Sequence, residues 1–378
     1  MILAAAIVLA LLNAGAIVYC VLTIVAARNY SAVHRPHSGP LVPISILKPL
    51  FGADEGLEEN LRSFFAQEYP DFELLMSVNR HDDSAAAVAE KVMREFPSVS
   101  AKLIVTGMSP RPNGKVFSLD RLMQDARHDI LVMADSDIRV TPQMLQVLAA
   151  ELQDRRVGLV TCPYRAIPGA TFWSQLEALG MNTEFLGGVL VARFLNGMDF
   201  ALGCTLAVRR GALDAIGGFG VLKDYLAEDF MMGRLVAQSG SRVILSSYKI
   251  EHRIGSQGFR ANFDHRLRWA RSTRRSRPAG YVGEIFTNPL PLAIALWAVY
   301  PAWWPLAAGA AILRAASAWL VAHATLRDPL IAGHWWLLPV QDLASFICWV
   351  LGFFGNTVKW RGRELEVGRD GKFKETRP

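Results

Sequence analysis

The chain begins and ends on apolar stretches and alternates between them. Residues 2–27 carry no charge, and as a helix they are long enough to cross about 30 Å of hydrocarbon. A secretory signal peptide would have a basic start, a shorter apolar run and a small-residue cleavage site; this run lacks the basic start and is too long. Arg28 and Arg35 follow, which by the positive-inside bias puts the next segment in the cytosol. Near the other end, residues 289–313 are apolar, with Trp297, Trp303 and Trp304 as interface anchors. Residues 315–326 form a weaker apolar segment and residues 335–358 a longer one. Asp342 interrupts the last and is expected to face protein or water rather than lipid. Lys359, Arg361 and Arg363 close it, so a basic cytosolic tail is expected; that needs an even number of crossings, and the hydropathy allows two or three.

Between these ends the period changes. Residues 42–47 (VPISIL), 72–78 (FELLMSV), 102–105, 130–134 (ILVMA) and 157–162 read as short buried strands. Residues 56–69 place Leu57, Leu61, Phe64 and Phe65 on one helical face, and residues 84–96 do the same with Val88, Val92 and Phe96 behind a serine N-cap. Strands separated by helices of this length imply βαβ units and a largely parallel sheet covered on both faces. In such sheets ligands sit at the carboxyl ends of the strands.

Composition supports this division. The 378 residues are 52% hydrophobic and only 20% charged, with a net charge of +6, which excludes a disordered chain. A mean hydropathy of +0.22 fits poorly with an ordinary soluble enzyme. Cys20, Cys162, Cys204 and Cys348 show neither zinc spacing nor a disulfide framework, so the middle reads as reduced and cytosolic.

The residues after the strands carry the candidate chemistry. Asp135 and Asp137 follow the ILVMA strand, spaced so that one carboxylate reaches a sugar or ribose while the other holds a hard cation. Asp82-Asp83 follows FELLMSV at the same edge, where a solvated loop and helix start is the plain alternative. Glu228-Asp229 opens a helix, as a favourable first-turn charge or as a general base. Six arginines and no acid lie between His265 and Arg277. No nucleic-acid module accompanies them beside the membrane segments. Arg268 suits a leaving diphosphate, while Arg271, Arg274 and Arg275 share one helix side and are expected against anionic lipid headgroups. Gly203 before a strand suggests a close backbone approach to a ligand, and Gly217-Gly218 a sharp turn. Residues 172–195 read as a core helix or as one lying in the membrane interface.

Seven motifs in order, SILKPLFGAD (45–54), SVNRHDD (77–83), NGKVFSL (113–119), ADSDIRV (134–140), GCTLAVRRGALDAIGGF (203–219), AEDF (227–230) and HRLRW (265–269), resemble the membrane-bound ceramide glucosyltransferase family within the GT-A, family-2-like enzymes. The resemblance implies a Rossmann-like α/β GT-A domain over residues 28–285. That domain would be flanked by a transmembrane helix at 1–27, transmembrane helices at 286–358 and a basic cytosolic tail at 359–378. It implies a UDP-sugar donor, a membrane-lipid acceptor (ceramide or a hopanoid) and a divalent cation, Mg²⁺ or Mn²⁺. It carries Asp83, Lys115, Asp135, Asp137, Arg268 and Trp269 over as donor-binding residues, Asp137 also as metal ligand, and Asp229 as catalytic base. Ser118 stands where the family commonly has asparagine. His265 replaces the Gln or Arg that opens the family's (Q/R)xxRW motif; here the chain is similar to bacterial hopanoid-pathway glycosyltransferases, which implies a bacterial inner membrane. A processive polysaccharide synthase shares the D-x-D pair, the Glu228-Asp229 base and the xxRW motif but needs a larger helix bundle, and a catalytically dead scaffold would not keep the full carboxylate set.

Overall fold

The computed structural model describes residues 2–33, 41–360 and 363–374; Arg35 and Arg361 lie outside them. Among the described residues the central sheet has seven strands. In chain order they are β1 (Ile44–Pro49), β2 (Phe72–Val78), β3 (Ser100–Val105), β4 (Ile130–Ala134), β6 (Val157–Thr161), β8 (Thr205–Arg209) and β9 (Arg242–Leu245), arranged β3-β2-β1-β4-β8-β6-β9. All pairings are parallel except those of β8. Strands β1, β4 and β6 are buried along their whole length, as their continuous apolar runs require when helices cover both faces. The helix expected from residue 56 spans Leu57–Phe65 and buries all four named apolar residues. The next spans Ser84–Glu95, and its N-cap is Asp83 rather than Ser84: Asp83 accepts from the Ala85 amide, and Ser84 Oγ accepts from Ala53.

Register brings the chemistry to one edge. Leu47 pairs with Met133, so Lys48 lies beside the end of β4, and Ala134 pairs with Thr205, which brings Gly203-Cys204 against Asp135. A small second sheet, β5 (Ile138–Arg139), β10 (Ile250–Gly255) and β7 (Tyr164–Pro168), aligns His252 with Ile138 next to Asp137.

Residues 172–196 form a helix interrupted by a π turn at Met181–Phe185. Its Leu176 and Leu179 pack with Leu290, Ala318, Ile331 and Leu338, the behaviour of a core helix. Among the described residues three helices are long and apolar enough to cross a membrane, Ile2–Ser31, Pro301–Thr325 and Leu330–Gly352. The pair Pro278–Thr287 and Pro289–Val299, bent by 60°, makes a fourth if it counts as one span. The single segment read over 289–313 is broken at Pro301, which has no amide hydrogen to continue the preceding helix. Asp342 faces protein as expected: Arg314, from the neighbouring helix, donates to both its oxygens at 2.7–3.0 Å, and both side chains are buried.

The segment expected as a basic tail folds. Thr357–Trp360 (β11), Arg363–Val367 (β12) and Phe373–Lys374 (β13) form an antiparallel meander that buries Leu226 with Val358, Leu365, Val367 and Phe373. This sheet corrects the reading of the arginine run. Arg271 donates to the carbonyls of Thr357 and Phe354, Arg274 to those of Phe353 and Gly355, and Arg274 and Arg275 to Asn356 Oδ1. The terminal guanidinium nitrogens expected at lipid headgroups are used by main-chain carbonyls and the Asn356 amide oxygen just beyond the helix Leu338–Gly352, while the Nε atoms of all three are buried without a hydrogen-bond partner. Changing all three arginines to Gln is therefore expected to lower the melting temperature by several degrees in detergent, where no anionic leaflet exists. An unchanged melting temperature there, with activity lost only in anionic liposomes, would return these arginines to the membrane.

Candidate active site

Asp135 and Asp137 leave the end of β4 in different environments. Lys115, from the first turn of the helix Gly114–Asp125, reaches Asp135 Oδ1 at 2.7 Å, Glu228 Oε1 at 3.2 Å and the Gly203 carbonyl at 3.2 Å. One ammonium thus joins the loop after β4, the start of the helix Glu228–Gln238 and the entry to β8. Asn113 caps its own helix at Val116 and donates to Glu228 Oε2 and the Tyr225 carbonyl, so the same turn holds both ends. Burial raises the Asp135 carboxyl above its usual range, with Lys115 opposing.

Asp137 Oδ2 bonds His252 Nε2 at 3.1 Å. Burial acts to raise the Asp137 carboxyl, but His252 and Lys48 hold it below its ordinary value. Its Oδ1 is buried without a hydrogen-bond partner. No cluster of three metal-ligating side chains occurs among the described residues. A lone buried carboxylate oxygen beside an imidazole nonetheless suits a cation whose other ligands come from substrate phosphates. Lys48 is wholly buried, lies 3.9 Å over the Phe64 ring and donates to the Asp135 carbonyl at 2.6 Å. Burial pulls its ammonium down to about 7 against the two aspartates.

Asp229 stands in the first turn of Glu228–Gln238, where the helix dipole favours its anion. Burial and the neighbouring Glu228 outweigh this and push the carboxyl up to about 7, with Lys115 opposing. Gly203, expected to let its backbone approach a ligand, is approached by this side chain instead: a Cβ there would lie 2.6 Å from Asp229 Oδ2. Gly203→Ala is expected to displace the carboxylate and lower turnover by about tenfold, leaving the melting temperature nearly unchanged. Normal turnover would show that the Asp229 position is not critical.

Trp269, from the helix Phe259–Ser276, closes the site on one side through Phe185, Tyr164 and His252, with successive ring centroids 5.2, 5.2 and 5.4 Å apart. Arg268 borders a cavity of about 160 Å³ with Asp264, Arg271, Lys359 and Glu364, between this helix and the C-terminal sheet. Asp83 is set apart from the other carboxylates, bonded to the amides of Gly52 and Ala85 at 2.9 Å on the same strand-end edge. Asp82 instead pairs with Arg80 in solvent. Lys48 and His252 were not singled out from the sequence. Both leave a signal: Lys48 is a cation inside an apolar strand, and His252 takes the inward position between Ile250 and Ile254.

A mixed α/β sheet with an acid pair after its central strand, a buried carboxylate at a helix start and an arginine–tryptophan helix defines a GT-A-type domain. The comparisons agree. The family model "Glycosyl transferase family 21" matches residues 8–373, and the chain belongs to that family. Ceramide glucosyltransferase 3 of Caenorhabditis elegans is 29% identical over 67% of this chain and 56% of its own length. Ceramide glucosyltransferase 1 of the same organism is 26% identical over 64% and 52%. The chain thus spans about half the length of these curated relatives. Among solved structures, a Pyrobaculum calidifontis mannosyltransferase in complex with GDP-Man and Mn²⁺ shares the fold, with a TM-score of 0.57 at 18% identity over 94% of this chain and 99% of that one.

Proposed function

We propose that this chain is a membrane-bound inverting glycosyltransferase that moves a single sugar, glucose from UDP-glucose first, to a hydroxyl of ceramide. The domain of residues 28–285 would face the cytosol of a bacterial inner membrane. The observation that carries the chemistry is Asp229: a buried carboxyl pushed up to about 7, set at a helix start and fixed against Gly203, is poised to take a proton near neutral pH. As the acceptor oxygen bonds to the anomeric carbon, its proton passes to Asp229. The bond from that carbon to the diphosphate oxygen breaks on the opposite face, and its electron pair leaves with UDP. An α-linked donor then gives a β-glycoside.

Asp83 and Asp135 would contact the donor, with Lys115 holding Asp135 in place, and Trp269 would form an apolar wall. Arg268 would present its planar fork to the diphosphate. Asp137, through its unpartnered Oδ1, would hold Mg²⁺ or Mn²⁺, with His252 fixing the carboxylate through Oδ2. When bound, such an ion neutralises charge on the diphosphate. That this chain's relatives are ceramide glucosyltransferases supports this reading. Incubating the purified protein with UDP-sugars and a panel of ceramide, hopanoid and other lipids, followed by mass spectrometry, tests it. A monohexosyl-ceramide is the expected product, and release of UDP with no glycosylated lipid would overturn the reading.

A further inference from the structure

Glu177, in the helix Phe172–Gly180, is a carboxylate with 3% of its surface exposed. Its partners come from one face of the helix Phe259–Ser276: Asn262 Nδ2 reaches Oε2 at 2.8 Å, and His265 Nδ1 bonds Oε1. Asn262 in turn accepts from Arg266, whose other end donates to the buried Gln341. The carboxylate is therefore tied from two sides and fixes the His265 ring. That ring packs on Trp269 with centroids 5.2 Å apart, at the far end of the aromatic wall that begins at His252 and Asp137.

With Nδ1 committed to Glu177, Nε2 carries no hydrogen bond among the described residues, and the side chain is 22% exposed. Burial, together with Arg268 and His252, draws the imidazole below its ordinary value against the pull of Glu177. A neutral ring that donates through Nδ1 presents at Nε2 a bare lone pair, which accepts and does not donate.

We infer that His265 Nε2 accepts a hydrogen bond from a second, non-reacting hydroxyl of the lipid acceptor, and that Glu177 is the positioning residue that fixes the ring for this contact. The inference rests on the lipid-acceptor reading above and deepens it: the acceptor class is a lipid with two neighbouring hydroxyls, one attacking and one read. A single polar contact to the acceptor adds selectivity without adding a base.

The test uses the full chain in detergent with UDP-glucose and two acceptors, a short-chain ceramide and the same lipid without its secondary hydroxyl. Wild type is expected to favour the first by roughly tenfold in kcat/KM, the scale of one hydrogen bond. His265→Asn places an amide N–H where Nδ1–H stood, keeping the bond to Glu177 and the fold while removing Nε2. Its preference is expected to collapse to within about twofold, by loss on ceramide alone, with donor KM unchanged. Glu177→Ala frees the ring and is expected to erode the preference, while Glu177→Gln, whose amide oxygen still accepts from Nδ1–H, retains it at a lower melting temperature, because its NH2 then meets the Asn262 donor. Equal loss on both lipids in His265→Asn, or its full retention of the preference, overturns the inference. So does wild type glycosylating both lipids equally, with the lipid-acceptor reading intact. Wild type glycosylating neither overturns that reading and this inference together.

Discussion

Replacing Asp229 with Asn is expected to lower turnover by at least about 10²-fold while leaving donor affinity nearly unchanged, the scale of a lost general base. The amide keeps the shape against Gly203 but cannot accept the acceptor's proton. The raised carboxyl adds a second, independent readout. In the folded chain Asp229 holds its proton up to about pH 7, against a usual value of 3.8. Folding thus favours the protonated form, and this group's contribution to stability is present at low pH and lost as pH rises through about 7. The neutral Asn escapes that loss, so at pH 8 the variant is expected to melt a few degrees above wild type. Catalysis runs the opposite way: the base must be ionised, so wild-type turnover is expected to fall as pH drops below about 7. Near-normal turnover in Asp229→Asn would remove this residue from the mechanism, and a lower melting temperature at pH 8 would contradict the account of its burial.

The second large effect is expected at Asp137. Asp137→Ala removes the carboxylate whose Oδ1 has no protein partner, and turnover is expected to fall by about 10²-fold or more. EDTA should abolish wild-type activity, and Mn²⁺ or Mg²⁺ should restore it. His252→Ala is expected to raise the cation concentration needed for half-maximal activity about 10- to 100-fold, the usual effect of removing a residue that orients a metal ligand. Full wild-type activity in EDTA would exclude the cation from this reaction.

Much of the domain was legible because its signals are local. Five strands announce themselves as short apolar runs, and the observed bounds shift by a few residues at most, as where β1 begins at Ile44 and ends at Pro49; four are buried as expected, whereas β3, at the sheet edge, is exposed or half-buried along its length. The acid pair at 135 and 137 and the helix start at 228 follow from the same logic. What the sequence concealed depends on contacts between distant segments. Nothing in VRR or HRIG says that β8 runs antiparallel beside β4, or that β10 delivers His252 to Asp137. Likewise, a run of arginines looks alike whether its partners are phosphates or carbonyls. Only the docking of residues 353–357 shows which partners Arg271, Arg274 and Arg275 meet. The turn at Pro301 hides within an apolar stretch because hydropathy does not register a missing amide hydrogen.

The C-terminal meander also sets an order of events during synthesis. Phe373 donates to the Asp224 carbonyl at 2.7 Å, Leu226 donates to that of Gly371 at 3.2 Å, and Lys372 bridges Tyr225. Those partners lie just ahead of Asp229 in the chain. A nascent polypeptide that has released everything through the helix Leu338–Gly352 still lacks the strand that clasps this loop. The loop ahead of Asp229 is therefore clasped from the far end of the described chain, after the long apolar helices have left the ribosome, so the last buttress of the proposed base is also the last part of the fold to be made.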